Sequence, residues 1–200
     1  MKIHDSIIIA DDILESEEFL NLKKHCTEEI KFEGVEKGDH IYFVAQTPKN
    51  LEDKVLQILQ EIHQKQIDVA ISFLRLANSK IDINLRIHCD NGNVAGKFNP
   101  THGAVFYITH DSKNLNGTAF WKHKEFGYTC PDNFTNNDIQ NKIMIDKEDS
   151  LKWDLSTIIG GVENRLVTYP AKYFHSKYPR VMGGKDLKDS RIIMALFYKI

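Results

Sequence analysis

Cysteine is scarce in this chain. Cys26, Cys89 and Cys130 are its 3 thiols, too few and too scattered for a disulfide framework and without the CxxC spacing of a structural zinc site. The odd number suits a reducing compartment. An excess of one charge is lacking too: 26 Lys and Arg are interspersed with 28 Asp and Glu, for a formal net charge of -2, which leaves no basic footprint for nucleic acid. No apolar run approaches the length of a membrane span, and the first residues lack the apolar core of a signal peptide. Repeats and low-complexity tracts are absent. Together these absences predict a soluble cytoplasmic protein with no membrane partner, and nucleic acid is not favoured.

What is present is an ordinary globular composition. With 42% hydrophobic residues in a chain of 200, one domain over residues 1–200 with a sizeable core is expected. Residues 7–10 read as a buried strand. Ser16 with Glu17 and Glu18 looks like a helix start, its acids near the positive end of the helix dipole. Phe19, Leu22, Cys26 and Ile30 continue that helix at the right spacing. Residues 40–44 read as strand. Asn50 with Asp53 resembles a capping pair, and Leu51, Val55, Ile58, Leu59 and Ile62 mark one apolar face of a second helix. Residues 71–76 read as strand rather than more helix. Strands then dominate, over 81–89, 103–109, 118–121, 166–169 and 191–198, with Gly, Asn and Pro between them.

Helices first and strands after describe an α+β chain. The helix-rich part, 1–80, is expected to pack on one sheet of a jelly-roll core over 81–200. The stretch 122–161 carries Pro131, Asn133, Asn136 and Asn137 and reads as a long surface insertion, a feature that is often functional, and is the candidate substrate lid.

Chemistry concentrates in Leu85-Arg86-Ile87-His88-Cys89-Asp90. On an extended strand His88 and Asp90 leave the same face. A second imidazole from a distant strand would complete two nitrogens and one carboxylate on one side of a metal, with positions left open, as suits non-heme Fe(II). His175, which follows the turn at Pro170, is the candidate. By the same alternation Asn84 and Arg86 face the way His88 does, and Leu85 and Ile87 face the core. Cys89 should point away from the metal as a small buried hydrophobe. Each piece also has a bland explanation: a half-exposed strand, or plain surface histidines among the 9.

Arg191 heads an almost wholly apolar strand, where a buried cation needs a partner. A dicarboxylate co-substrate would supply one through a two-pronged contact; so would Asp186 or Asp189 if the arginine sits at the rim. His102, His110 and His123 flank the third and fourth strands. His123 could face a substrate, but a structural or surface role is the preferred reading, and Phe120 and Trp121 read as core and rim rather than a substrate platform.

Taken in chain order, His88-x-Asp90, Tyr107-Ile108-Thr109, Gly117-Thr118-Ala119-Phe120-Trp121, His175 and Arg191 together resemble the Fe(II)/2-oxoglutarate-dependent oxygenases, most closely the prolyl 4-hydroxylase type. The resemblance covers most of the chain and is strongest over 85–117 and 164–198. It implies a double-stranded β-helix of jelly-roll or cupin type. It implies Fe(II) held by His88, Asp90 and His175, and 2-oxoglutarate gripped at its distal carboxylate by Arg191 with the Tyr107 hydroxyl as second donor. O2 would be the oxidant and ascorbate a supporting reductant. The reaction would hydroxylate a C–H bond of a peptide side chain or small molecule and release succinate and CO2.

One departure is that Arg191 stands 16 positions after His175, where the family's basic residue usually comes sooner. Residues 178–188 read as an inserted loop, and the nearer Lys177, Arg180 and Lys185 head no apolar strand. Two other readings stay open. One is a cupin-like Zn or Ni enzyme that does not use 2-oxoglutarate; the other is a non-enzymatic jelly-roll module that binds sugar or protein.

Overall fold

Alternation decides which way each strand of the main sheet faces. In β5 (His102–Tyr107), Ala104 and Phe106 point to one side, Val105 and Tyr107 to the other. In β10 (Arg191–Lys199), Ile192, Met194 and Leu196 oppose Ile193 and Ala195, and period two places Arg191 with the second set. The computed structural model describes residues 6–37, 40–90, 99–109, 116–130 and 137–200; His110, Pro131, Asn133 and Asn136 lie outside them.

The large sheet has seven strands, in the order β1 (Ile8–Ala10), β8 (Leu166–Pro170), β5, β10, β4 (Val69–Ala77), β3 (His40–Ala45), β2 (Glu33–Lys37), all antiparallel. Its outer face is covered by α1 (Ser16–Glu28) and α2 (Lys49–His63), whose Phe19, Cys26, Leu51, Val55 and Leu59 meet Leu74, Phe106, Met194 and Leu196. Each such side chain stabilises by about 1.5–3 kcal/mol when buried. Caps contribute less than the sequence suggested: the helices begin after Glu15 and Pro48, and neither makes a side-chain cap bond.

The second sheet has three strands, β7 (Trp153–Gly160), β6 (Gly117–His123) and β9 (His175–Tyr178), and a bridge from His88 to His175 extends it. The two inner faces meet in a core where Phe120 and Tyr173 pack on Val105, Tyr107, Val167, Tyr169, Ile193 and Ala195. Behind the small sheet, Ile143 of α3 (Asn137–Asp146) packs with Trp121, Trp153 and Phe174, and with Leu85 and Ile87.

Several expectations change. The stretch 122–161 is not one loop, because it holds α3 and β7; β7 is a mostly half-exposed edge strand and so lacks a strong apolar run. Residues 81–89 do not form a continuous strand. Asp82 and Arg86 adopt left-handed backbone, with φ of 57° and 49°, which costs a non-glycine residue about 1–2 kcal/mol and breaks the pleat. Residues 7–10 sit at the edge of the sheet, and Ile8 and Ile9 are exposed. Cys89 is not a lone hydrophobe: it is bonded to Cys130, with Cα atoms 6.5 Å apart, while Cys26 is free and buried. The disulfide withdraws the support that the cysteine count lent to a reducing compartment. Among the described residues, no helix is long and apolar enough to cross a membrane.

Candidate metal centre

Three backbone segments run side by side beneath the site. His88 N–H donates to the His175 carbonyl at 3.0 Å, His175 N–H returns a bond to His88 at 2.8 Å, and Asp90 N–H donates to Ala171 at 2.8 Å. On the other side of 171–175, Cys130 N–H donates to Lys172 at 2.8 Å and Phe174 N–H to Tyr128 at 3.2 Å. The Cys89–Cys130 disulfide therefore staples together the two segments that flank the chain leading into His175.

This pairing gathers His88, Asp90 and His175, one ligand atom from each lying within 4.8 Å of the others. His175 Nε2 is 3.3 Å from Asp90 Oδ2, and His88 Nε2 is 3.6 Å from Asp90 Oδ1. The opposite ring nitrogens are already spoken for. His88 Nδ1 meets the Arg86 carbonyl at 2.7 Å and His175 Nδ1 the Tyr173 carbonyl at 2.9 Å. A carbonyl can only accept, so each Nδ1 holds the proton and each Nε2 presents its lone pair, the tautomer that a metal ligand requires.

Asp90 and His175 are buried, with side chains 6% and 7% exposed, whereas His88 keeps 47%. The centre thus opens on the His88 side. Desolvation of the covered half of the His88 ring, then the neighbouring His175 imidazole and the Arg75 and Arg86 guanidiniums, hold its pKa below the usual range. Beneath the cluster lies Gly103. A Cβ there would come within 3.0 Å of both Asp90 Oδ2 and the Tyr169 ring. That ring packs 4.7 Å from the His175 imidazole and 5.1 Å from Phe120, centre to centre.

A second polar group lies on the large sheet, facing the small sheet. Arg191 is 3% exposed, its guanidinium 5.4 Å from the centre of the Tyr107 ring, and its Nε is buried without a hydrogen-bond partner. Burial pulls the Arg191 pKa down and pushes the Tyr107 phenol up. The Tyr107 hydroxyl shares a 2.7 Å hydrogen bond with Thr118 Oγ1. Asp186 and Asp189 form the capping box of a short 3-10 turn over Leu187–Asp189. Tyr169 packs against the His175 ring and belongs to the same core cluster as Tyr107.

Two cations near this site take no role from the sequence: Lys177, which is weighed there only as an anchor and set aside, and Arg75. Lys177 sits two positions after His175 on β9 and so faces the same way; it is buried, donates to the Arg180 carbonyl, and is pulled down by desolvation to about 8. Strand period alone points to it. Arg75, a cation inside the apolar β4, donates from Nε to the buried Asp82 at 2.9 Å. His123 is structural: its Nε2 meets Asp146 at 3.1 Å and its Nδ1 accepts from the Glu125 and Phe126 N–H groups. Phe120 and Trp121 are core, the Trp121 indole donating to Ser176.

The donor set fits a divalent metal with open positions; chemistry alone admits Fe(II), Zn or Ni. The orphaned Nε of a buried guanidinium fits a carboxylate. No protein-family model and no curated protein matches this sequence. Solved structures do match its shape. The chain is similar to the non-heme alpha ketoglutarate dependent carbocyclase SnoK from nogalamycin biosynthesis, with a TM-score of 0.64 and 13% identity over 96% of this chain and 79% of that one. It is similar to HygX from Streptomyces hygroscopicus with nickel and 2-oxoglutarate bound (0.56 and 12%, over 96% and 82%). It is also similar to a prolyl-4-hydroxylase from Pseudomonas putida (0.55 and 10%, over 96% and 91%).

The fold is a double-stranded β-helix. At these identities the likeness is one of fold. Within the double-stranded β-helix, His175 comes from the small sheet and His88 bridges to it, while Arg191 and Tyr107 belong to the large sheet that faces them.

Proposed function

We propose that this protein is an Fe(II)- and 2-oxoglutarate-dependent dioxygenase that hydroxylates a C–H bond of a peptide side chain or small molecule, with release of succinate and CO2. The reading is carried by one juxtaposition. The His88–Asp90–His175 cluster on the small sheet and the buried, partnerless Nε of Arg191 on the large sheet border one core, in which Tyr169 packs against His175 and clusters with Tyr107. A keto diacid has complementary ends, a carboxylate for the guanidinium and a chelating keto acid for the metal. Iron, when bound, supplies the activation of dioxygen.

The chain's own residues do the rest. Two Nε2 lone pairs and the Asp90 carboxylate would hold the metal. Arg191 and Tyr107 would fix the far end of the co-substrate, beside the buried Phe120, Tyr169 and Tyr173 of the same core. Structures of similar fold include an epimerase and a carbocyclase as well as a hydroxylase, and a fold does not choose among such outcomes. Hydroxylation is proposed because the motifs resemble the prolyl 4-hydroxylase type.

The test is succinate release. Protein with Fe(II), ascorbate and 2-oxoglutarate should form succinate slowly alone and faster with substrate, and His88→Ala or His175→Ala should abolish it. If calorimetry on the Mn(II)-loaded protein detects no uptake of 2-oxoglutarate, the proposal is wrong and a cupin-like metalloenzyme takes its place.

A further inference from the structure

The contacts of β9 fix which way its side chains point. Ser176 accepts from the Trp121 indole at 3.0 Å, and Trp121 belongs to the cluster behind the small sheet. Strand period therefore sends its neighbours His175 and Lys177 the other way, towards the large sheet. The pairing with β6 agrees. His175 stands opposite Phe120 and Lys177 opposite Thr118, and residues directly opposite share a face. Phe120 packs in the core between the sheets, and Thr118 Oγ1 reaches the Tyr107 hydroxyl of the large sheet at 2.7 Å. Tyr107 in turn has the Arg191 guanidinium 5.4 Å from its ring centre. Lys177 is thus the next inward position after the metal-binding His175, on the rung that is bonded to the Arg191 side of the core.

That rung carries more positive charge than the protein neutralises. Among the described residues, the buried Asp, Glu, Lys and Arg are Asp82, Asp90, Asp146, Lys177 and Arg191. Asp146 meets His123, Asp90 belongs to the metal cluster, and Asp82 accepts from Arg75 at 2.9 and 2.5 Å. Glu148 attracts Lys177 from a distance, as Asp82 does, but it accepts from the Leu85 and Arg86 N–H groups and lies 3.5 Å from Arg180.

Lys177 and Arg191 remain. Neither makes an ion pair among the described residues: Lys177 donates to the Arg180 carbonyl, and the Arg191 Nε has no partner. A carbonyl satisfies one of the three ammonium N–H groups and supplies no counter-charge. Burying a cation without an anion is costly. Two such cations, one on each of two facing sheets and linked through Thr118 and Tyr107, call for an anion from outside.

We propose that Lys177 is a second cationic anchor of the co-substrate, so that the distal carboxylate is gripped between Lys177 of the small sheet and Arg191 of the large one. The proposal rests on the dioxygenase reading above. A carboxylate suits the slot because its two oxygens accept from two donors at once.

The test compares 2-oxoglutarate with 2-oxopentanoate, which keeps the keto-acid end and has a methyl group in place of the distal carboxylate. Each is titrated calorimetrically into the Mn(II)-loaded protein. A charged contact contributes about one to two decades of affinity, so two cations should favour 2-oxoglutarate by more than about a hundredfold. A smaller preference leaves room for one cation and overturns the proposal. Lys177→Met should cut the preference by about ten- to a hundredfold, by weakening 2-oxoglutarate and not 2-oxopentanoate. Because the preference is a ratio, a general loosening of the fold, which weakens both ligands, does not imitate this result. In succinate release the KM for 2-oxoglutarate should rise more than kcat falls.

Lys177→Gln separates the two roles open to the lysine, since an amide can still donate to the Arg180 carbonyl but carries no charge. The preference should fall in it as in Lys177→Met. A preference that survives in Lys177→Gln makes the lysine a latch for that carbonyl and overturns the proposal. Uptake of neither keto acid sinks the dioxygenase reading and this one with it. Uptake of 2-oxoglutarate with a preference that both variants leave intact sinks this one alone.

Discussion

Gly103→Ala tests the metal centre without touching a ligand. The added Cβ would stand 3.0 Å from Asp90 Oδ2, 3.0 Å from Tyr169 Cε2 and 3.2 Å from Tyr169 Cζ. Carbon atoms pack at about 3.5–4.0 Å, so ring or carboxylate must yield by about half an ångström. The ring has little room, because Phe120 and the His175 imidazole hold it, and the carboxylate is therefore the part that moves. Metal–ligand distances tolerate about 0.2 Å, and disturbing the groups that orient a ligand commonly lowers metal affinity by about 10–100-fold, or about 1.4–2.8 kcal/mol. The strain itself should destabilise the fold by about 1–3 kcal/mol.

Two measurements separate these effects: the thermal midpoint of the metal-free protein, and a Co(II) titration followed by absorbance. The expected outcome is a lower midpoint together with weaker Co(II) binding. Shaving the ring in Gly103→Ala/Tyr169→Leu should recover part of the affinity. If the midpoint falls while Co(II) affinity stays within about twofold, a resolution set by the tenfold-per-1.4 kcal/mol scale, then Asp90 is not held against Gly103 as a ligand and the reasoning fails.

Other outcomes follow from the same geometry. Arg191→Ala should raise the KM for 2-oxoglutarate by about one to two decades, the worth of a charged hydrogen-bonded contact; an unchanged KM moves the anchor elsewhere. Replacing both members of the Cys89–Cys130 bond by Ser should cost about 2–4 kcal/mol in denaturant melts and also weaken metal binding, since the bond clamps the segment before His175; loss of stability with full metal affinity would make the staple purely structural. The third outcome concerns pH. His102 is pulled from 6.5 to about 4 by burial and by the nearby His63 and Lys65, and burial also lowers His63. Between those values the unfolded chain takes up protons that the folded one refuses, so this stability is fully present above about pH 6.5 and is lost as pH falls towards 4. Urea midpoints of the metal-free protein at pH 7.5, 6 and 5 should decline, and His102→Asn should flatten the decline; identical slopes in the two proteins refute the assignment.

Elements with a strong apolar signal were legible in the sequence. α1 and α2 show themselves by an apolar face, and β4, β5, β6, β8 and β10 by apolar runs, because all are pressed against a core on one side or both. What escaped has no such run. β2 reads Glu-Gly-Val-Glu-Lys at a sheet edge, β7 is mostly half-exposed, and β9 is four residues whose inward members, His175 and Lys177, are polar. The break in 81–89 was illegible for a different reason. Glycine announces left-handed backbone and arginine does not, so φ 49° at Arg86 leaves no mark in the sequence. The disulfide was hidden because its two cysteines are 41 positions apart and meet only across a third segment.

The convergence of His88, Asp90 and His175 was readable even though the strand assumed for it is broken. Spacing alone put His88 and Asp90 on one side; the structure secures them by pairing 88–90 with 171–175 rather than by a continuous strand. The same holds for Arg191, whose distance along the chain from His175 looked too long. Chain distance is the wrong measure here, because residues 179–190 form the connection between the sheets and register sets what faces the cavity. Ile193 pairs with Tyr107, Thr118 pairs with Lys177, and the Tyr107–Thr118 hydrogen bond ties the two sheets together at that level. Lengthening the connection leaves those pairings unchanged, so an arginine that heads β10 faces inward whatever the loop before it does.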